Sequence, residues 1–176
     1  MQNRSFRIGA IVAIIAASLC LPANAQDAPA RSQETKGPVT NLPVPRFVSL
    51  KGDQGNARRG PSLSHRIDWV FKHNGMPLKI TAEFGHWRRV EDRDGAGGWV
   101  HYSLLSGVRN VTVESDMAEL HARAEQSSPV TGIAEAGAIM KLGECLPRWC
   151  EVSQDGIEGW TEKSNLWGVF PDETRE

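Results

Sequence analysis

Cysteine, tyrosine and long apolar runs are all scarce in this chain, and each scarcity removes a class of function. Of three cysteines, only Cys145 and Cys150 lie beyond residue 25, and two cysteines in an exported chain more often form a bridge than stay free. No free thiol then remains to work with a histidine, which excludes a papain-like peptidase. A lone C-x4-C with no second pair of ligands does not make a zinc site either. The five histidines, at 65, 73, 86, 101 and 121, show no H-x-x-x-H spacing. Ser103 and Ser106 have no nucleophile-elbow context, and Asp92 and Asp94 sit in a turn, where solvated charge is their ordinary role. Gly95, Gly97 and Gly98 lie between two strands, without the helix that a phosphate-cradling loop opens. No catalytic constellation, cofactor or metal is expected.

One apolar run exists, Ile8 to Leu21, too short for an ordinary transmembrane helix. Arg4 and Arg7 precede it and Ala23-Asn24-Ala25 follows, so residues 1–25 read as a secretory signal peptide cleaved before Gln26. Cys20 raises the rival of a lipidation signal, but Leu19 stands where such signals want a small residue. A periplasmic or secreted location follows, with no membrane span in the mature chain. Beyond residue 25 the chain carries 18 Lys and Arg against 21 Asp and Glu, not the balance of a nucleic-acid binder. Residues 26–44 are rich in Pro, Ala, Ser and Thr without apolar periodicity and read as a flexible linker.

What the chain does have is a repeat. Gly75, Trp87-Arg88-Arg89-Val90, Gly98-Trp99 and Leu105 are matched by Gly137, Trp149-Cys150-Glu151-Val152, Gly159-Trp160 and Leu166, at nearly identical spacing. Asn56-Ala57-Arg58 is aligned with His121-Ala122-Arg123 as the opening of each copy. Within each copy, short alternating runs are separated by turn residues such as Asp94-Gly95 and Asp155-Gly156, the mark of an all-β fold. Two modules are expected, at 45–107 and 112–170, each drawing much of its apolar burial from its matched tryptophans. In this register Cys145 and Cys150 fall where the first copy has Glu83 and Arg88. If these positions face each other across a hairpin, one copy places an opposite-charge pair there and the other a disulfide.

These motifs, with Phe47-Val48-Ser49-Leu50, Arg58-Arg59-Gly60-Pro61, Leu104-Leu105-Ser106-Gly107 and Leu166-Trp167-Gly168-Val169, resemble the bacterial SH3-like domain family, in particular exported tandem-SH3 proteins formerly known only as a domain of unknown function. The resemblance implies two tandem small, partly open barrels of five or six strands each, and contact with cell-wall peptides. The chain departs from eukaryotic SH3 domains in lacking their acidic, tyrosine-rich loop: Tyr102 is its one tyrosine, so proline-rich ligands are not expected.

Charge divides the copies. Residues 45–107 hold ten basic and six acidic residues, whereas 108–176 hold six and thirteen. A basic first copy suits an anionic ligand or attracts the second copy. Cell-wall stem peptides carry carboxylates, which suits Arg58, Arg59, Arg88 and Arg89. Arg58, Arg59, Trp99 and His101 are the candidate ligand-binding residues, because arginine offers a planar fork to carboxylates and an exposed aromatic packs on sugar or peptide. The expected function is a non-catalytic envelope protein that binds peptidoglycan peptides or glycan, the alternative being a protein-interaction adaptor for an envelope protein.

Overall fold

The structure, a computed structural model, describes residues 35–176. The expected signal peptide and residues 26–34 of the linker lie outside the described residues. Among the described residues no helix is long and apolar enough to cross a membrane.

The described chain is built almost wholly of short antiparallel strands. A small hairpin, β1 (Thr35–Lys36) and β2 (Pro43–Val44), comes first. Module 1 follows as β3 (Arg46–Leu50), β4 (Gln54–Arg58), β5 (Ile67–Lys72), β6 (Pro77–Phe84), β7 (Trp87–Glu91), β8 (Gly97–His101) and β9 (Leu105–Ser106), with a 3-10 turn at Tyr102–Leu104. Module 2 repeats the plan as β10 (Asn110–Val113), β11 (Ala118–His121), β12 (Val130–Ala134), β13 (Ile139–Cys145), β14 (Trp149–Gln154), β15 (Ile157–Glu162) and β16 (Leu166–Trp167). The strand orders are β5-β4-β8-β7-β6-β3-β9 and β12-β11-β15-β14-β13-β10-β16, the same connectivity twice. Each sheet has seven strands, more than the resemblance implies, because the two-residue β9 and β16 close back onto β3 and β10. Neither sheet closes on itself, as a partly open barrel requires.

The matched glycines are conformational. Gly75 (φ 78°) and Gly137 (φ 89°) both adopt left-handed backbone, and each donates its N–H to a strand carbonyl, that of Leu50 and of Val113 respectively. The cores are less aromatic than expected. Leu50, Phe71, Leu78, Ile80 and Val90 fill module 1, while Val113, Leu120, Met140, Leu142 and Val152 fill module 2 with the disulfide. Of the four matched tryptophans only Trp149 is buried; Trp87, Trp99 and Trp160 are half-buried. Strand alternation turns these three outward, and aliphatic side chains take the interior.

The linker expectation fails over its last ten residues. Residues 35–44 form the β1–β2 hairpin, and the turn between its strands is anchored on the buried carboxylate of Glu83. That carboxylate accepts the Val39 N–H (3.1 Å), the Thr40 N–H (2.9 Å), the Thr40 hydroxyl (2.6 Å) and the Arg46 guanidinium (2.7 Å). A composition poor in apolar residues is held here by hydrogen bonds to one buried charge, which sequence periodicity does not register.

The modules pack on each other. The Phe47 ring meets Trp167 edge-on at 5.2 Å and Phe170 at 4.7 Å. Arg109 lies 5.7 Å from the same ring and pairs with Glu173 at 2.8 Å. Asn110 donates its backbone N–H to Ser49 Oγ and its side-chain amide to the Gly75 carbonyl.

Candidate ligand face of module 1

Strand alternation builds the face. Ala57, Val90 and Val100 point into the core, so Arg58 of β4, Trp87 and Arg89 of β7, and Trp99 and His101 of β8 share the outer surface. Register then sets their order. Trp99 lies directly between Arg58 on β4 and Arg89 on β7, and Trp87 lies opposite His101 one rung along. The glycine before Trp99 makes this rung possible: a Cβ on Gly98 would stand 2.6 Å from the Arg58 carbonyl oxygen. Gly159 approaches the His121 carbonyl in the same way, at 3.1 Å. The recurring Gly-Trp pair therefore reports a close strand approach followed by an outward indole.

Around His101 three other rings gather. His101 contacts Trp87 edge-on at 5.5 Å and Tyr102 at 4.9 Å, and His86 lies 5.9 Å from His101 and 5.6 Å from Tyr102. His101 Nδ1 is 2.7 Å from the Ser103 hydroxyl and caps the 3-10 turn, which fixes the imidazole. Tyr102 is half exposed, and Phe84, opposite Trp87 in the β6–β7 register, is more exposed still. The face thus combines an exposed aromatic platform with arginines.

The expected site residues divide. Arg58, Trp99 and His101 come together. Arg59 does not join them: its Nε donates to Asp68 on β5 at 2.9 Å. The bond from Arg59, joined by one from Arg66 at 2.6 Å, holds the Asp68 carboxyl below the usual carboxylate range. Arg58 also has a structural task, since its guanidinium donates to the carbonyls of Leu63 (3.1 Å) and His65 (2.7 Å) and closes the loop between β4 and β5. Of the other two arginines expected to suit stem-peptide carboxylates, Arg89 is exposed on this outer face. Arg88 is buried and turned toward Glu83 at 3.6 Å, because alternation along β7 places it on the inner side with Val90.

The equivalent face of module 2 has other chemistry, and the sequence alignment of the openings hid this by two residues. His121 lies opposite Trp160 as Arg58 lies opposite Trp99, and each follows a register shift against the neighbouring strand. The Arg59 N–H to Arg66 carbonyl bond recurs from Ala122 to Pro129. The counterpart of Arg58 is therefore His121, not Arg123, and that of Arg59 is Ala122, not Ala124. Across the face Arg89 becomes Glu151 and His101 becomes Glu162. His121 is buried, with Nδ1 2.9 Å from the Ser128 carbonyl, and stacks edge-on to Trp149 at 5.4 Å. A cleft of about 220 Å³ beside it is lined by Asp116, Glu119 and Glu162. Arg89 of module 1 is thus exchanged for a carboxylate in module 2, and the place of His101 is taken by another.

A second groove, about 370 Å³, runs between the modules, with Trp69, Lys72 and Arg93 on one side and Ile139 and Trp167 on the other. Among the described residues no three His, Cys, Asp or Glu side chains are grouped to hold a metal ion.

The bacterial SH3 domain model matches the chain twice, at residues 51–107 and 114–168, more than half its length. The chain belongs to the bacterial SH3 domain family. It is a tandem member, one domain per module. No curated protein matches it in sequence. Among solved structures, two proteins of Trichomonas vaginalis are similar, described as NlpC2 and NlpC1. Each is 12% identical with a TM-score of 0.33; the matches cover 70% and 69% of this chain and 48% and 45% of theirs. This chain thus spans about half the length of those proteins, and at that TM-score the likeness carries no argument about function.

Proposed function

We propose that this tandem bacterial SH3 protein is an exported, non-catalytic binding protein of the cell envelope that takes a carboxylate-bearing peptidoglycan peptide, with its attached glycan, on the outer face of module 1. The observation that carries this reading is the Arg58–Trp99–Arg89 rung beside the His86–Trp87–His101–Tyr102 ring cluster. Arginine presents paired donors to a carboxylate, and the half-exposed rings offer flat faces to a sugar or peptide. Module 2 carries Glu151 and Glu162 at the matching places, so the anion-binding role falls to module 1. Export is supported by the N-terminal signal pattern and by the Cys145–Cys150 bridge, which suits an oxidising compartment.

Co-sedimentation of the purified protein with intact cell-wall sacculi tests the reading. Binding that falls with rising salt is expected, because exposed charges carry it. Protein left in the supernatant at low salt would reject the wall ligand. Capture of an envelope protein by that same supernatant would favour the adaptor function instead.

A further inference from the structure

Each seven-stranded sheet has two end strands, of which one is the two-residue β9 or β16. The longer one, hydrogen-bonded on one side only, is β5 in module 1 and β12 in module 2. These are the same strand of the repeated plan, each the second strand of a hairpin whose register shifts beside its loop. The free side of an edge strand is a row of unpaired N–H and C=O groups, a template for another strand, and soluble proteins usually blunt it with charge. β12, Val130-Thr131-Gly132-Ile133-Ala134, has no charged residue, and Val130 and Ile133 are exposed. Ile157 of β15, also exposed, extends the apolar patch over Gly132, where a Cβ would meet it at 3.2 Å. β5 exposes Ile67 and Trp69.

The two edges differ in charge. The β4–β5 hairpin, residues 54–72, holds Arg58, Arg59, Arg66 and Lys72 against Asp68, and Asp68 is already engaged by Arg59 and Arg66. The β11–β12 hairpin, residues 118–134, holds Glu119 and Glu125 against Arg123, which is paired with Glu125. Glu135 follows β12 directly, and Glu158 lies on β15 beside it. We propose that β5 of one copy pairs with β12 of a second copy, joining the chains head to tail. Unlike edges attract and like edges repel, so β5 selects β12 and not another β5. Ile67 and Trp69 then cover Val130 and Ile133. Because every copy carries one edge of each kind, the contact is heterologous: it extends into a chain of copies or closes as a ring. The outer face of β7 and β8 stays open throughout, so such an array presents many ligand faces at once and gains in avidity.

Sedimentation velocity of the purified protein across a concentration series reads the contact. The protein is expected to exceed the monomer mass, and the excess to shrink as salt rises. Two variants place on one edge the charge of the opposing edge: Ile133→Lys on β12 and Trp69→Asp on β5, with Val130→Lys and Ile67→Asp as second choices should either fold poorly by circular dichroism. Each variant alone should be monomeric, since it keeps a single working edge. Their equimolar mixture should associate again, because the two intact edges meet and the exchanged charges face each other as an opposite pair. A monomeric wild type, self-association of either variant alone, or a mixture that stays monomeric would each overturn the head-to-tail contact.

Discussion

Glu83 stands opposite Arg88 in the same hairpin register in which Cys145 stands opposite Cys150, one pair in each module. The Cys pair is a disulfide, and the Glu83–Arg88 pair an ion pair at 3.6 Å. Each place also anchors an end of the described chain. Glu83 holds the N-terminal hairpin through Val39 and Thr40, and the Cys145 backbone exchanges two hydrogen bonds with Arg175. One position in the barrel plan thus ties down a terminal segment twice, by unlike chemistry.

The first prediction follows from the Glu83 carboxylate. Burial alone would raise its pKa, but bonds from Thr40, Arg46 and Val39 overcome this and hold it at about 2 against an ordinary 4.5. A folded pKa below the unfolded one stabilises the protein fully above the unfolded value, and that stability is lost as pH falls from about 4.5 toward 2. Glu83→Gln should therefore destabilise the protein near neutrality by about 1–3 kcal/mol. It should also flatten the loss of stability between those pH values. Urea melts at pH 7 and pH 3 check both; a variant that loses as much stability on acidification as the wild type would contradict the assignment.

The second concerns the disulfide. Its cysteines are five residues apart, so the loop it closes is small and the chain-entropy contribution is ~2 kcal/mol. Mass spectrometry of the unreduced protein should find no alkylatable thiol, and reduction should lower the denaturation midpoint by a matching amount. Free thiols in protein isolated from the envelope would contradict the bridge.

The repeat was legible because Gly75 and Gly137, and the Gly-Trp pairs, mark backbone requirements that survive divergence of the side chains around them. The disulfide position was legible for the same reason, since it follows from register alone. The openings of the two copies were misaligned by two residues because Ala-Arg recurs by chance beside a register shift, which no spacing rule anticipates. The β1–β2 hairpin was not legible at all: its order depends on Glu83, more than forty residues away. Arg59 was assigned to the face as part of the Arg58-Arg59-Gly60-Pro61 turn of a basic copy, whereas its ion pair with Asp68 depends on the shift at the end of β4.

The third prediction tests the Gly-Trp pair. Gly98→Ala places a Cβ against the Arg58 carbonyl, which is backbone and has little room to move. A loss of about 2 kcal/mol or more is expected, with the Arg58–Trp99 rung disrupted. Gly107→Ala is the control, because nothing lies within 4 Å of its Cβ position. Equal melting temperatures for the two variants would show that the strand approach is not constrained as described.

The last prediction separates the ligand face from its surroundings. Arg89 is exposed, and no bond to it is needed to hold the barrel, whereas Arg58 closes a loop through the Leu63 and His65 carbonyls. Loss of binding in an Arg58 variant would therefore be ambiguous, and Arg89 is the cleaner probe. Arg89→Glu gives module 1 the charge that module 2 carries at Glu151, which a bacterial SH3 barrel already accommodates opposite Trp160. It should abolish co-sedimentation with sacculi while leaving the melting temperature nearly unchanged. Arg59→Ala breaks only an exposed, solvent-screened pair with Asp68 and should leave wall binding close to wild type. The reciprocal change, Glu151→Arg, tests whether charge alone distinguishes the faces. Because His121 is buried there and Glu162 replaces His101, it should restore at most weak binding to module 2. If Arg59→Ala abolished binding and Arg89→Glu spared it, the ligand would lie along β5 and not on the Trp99 face.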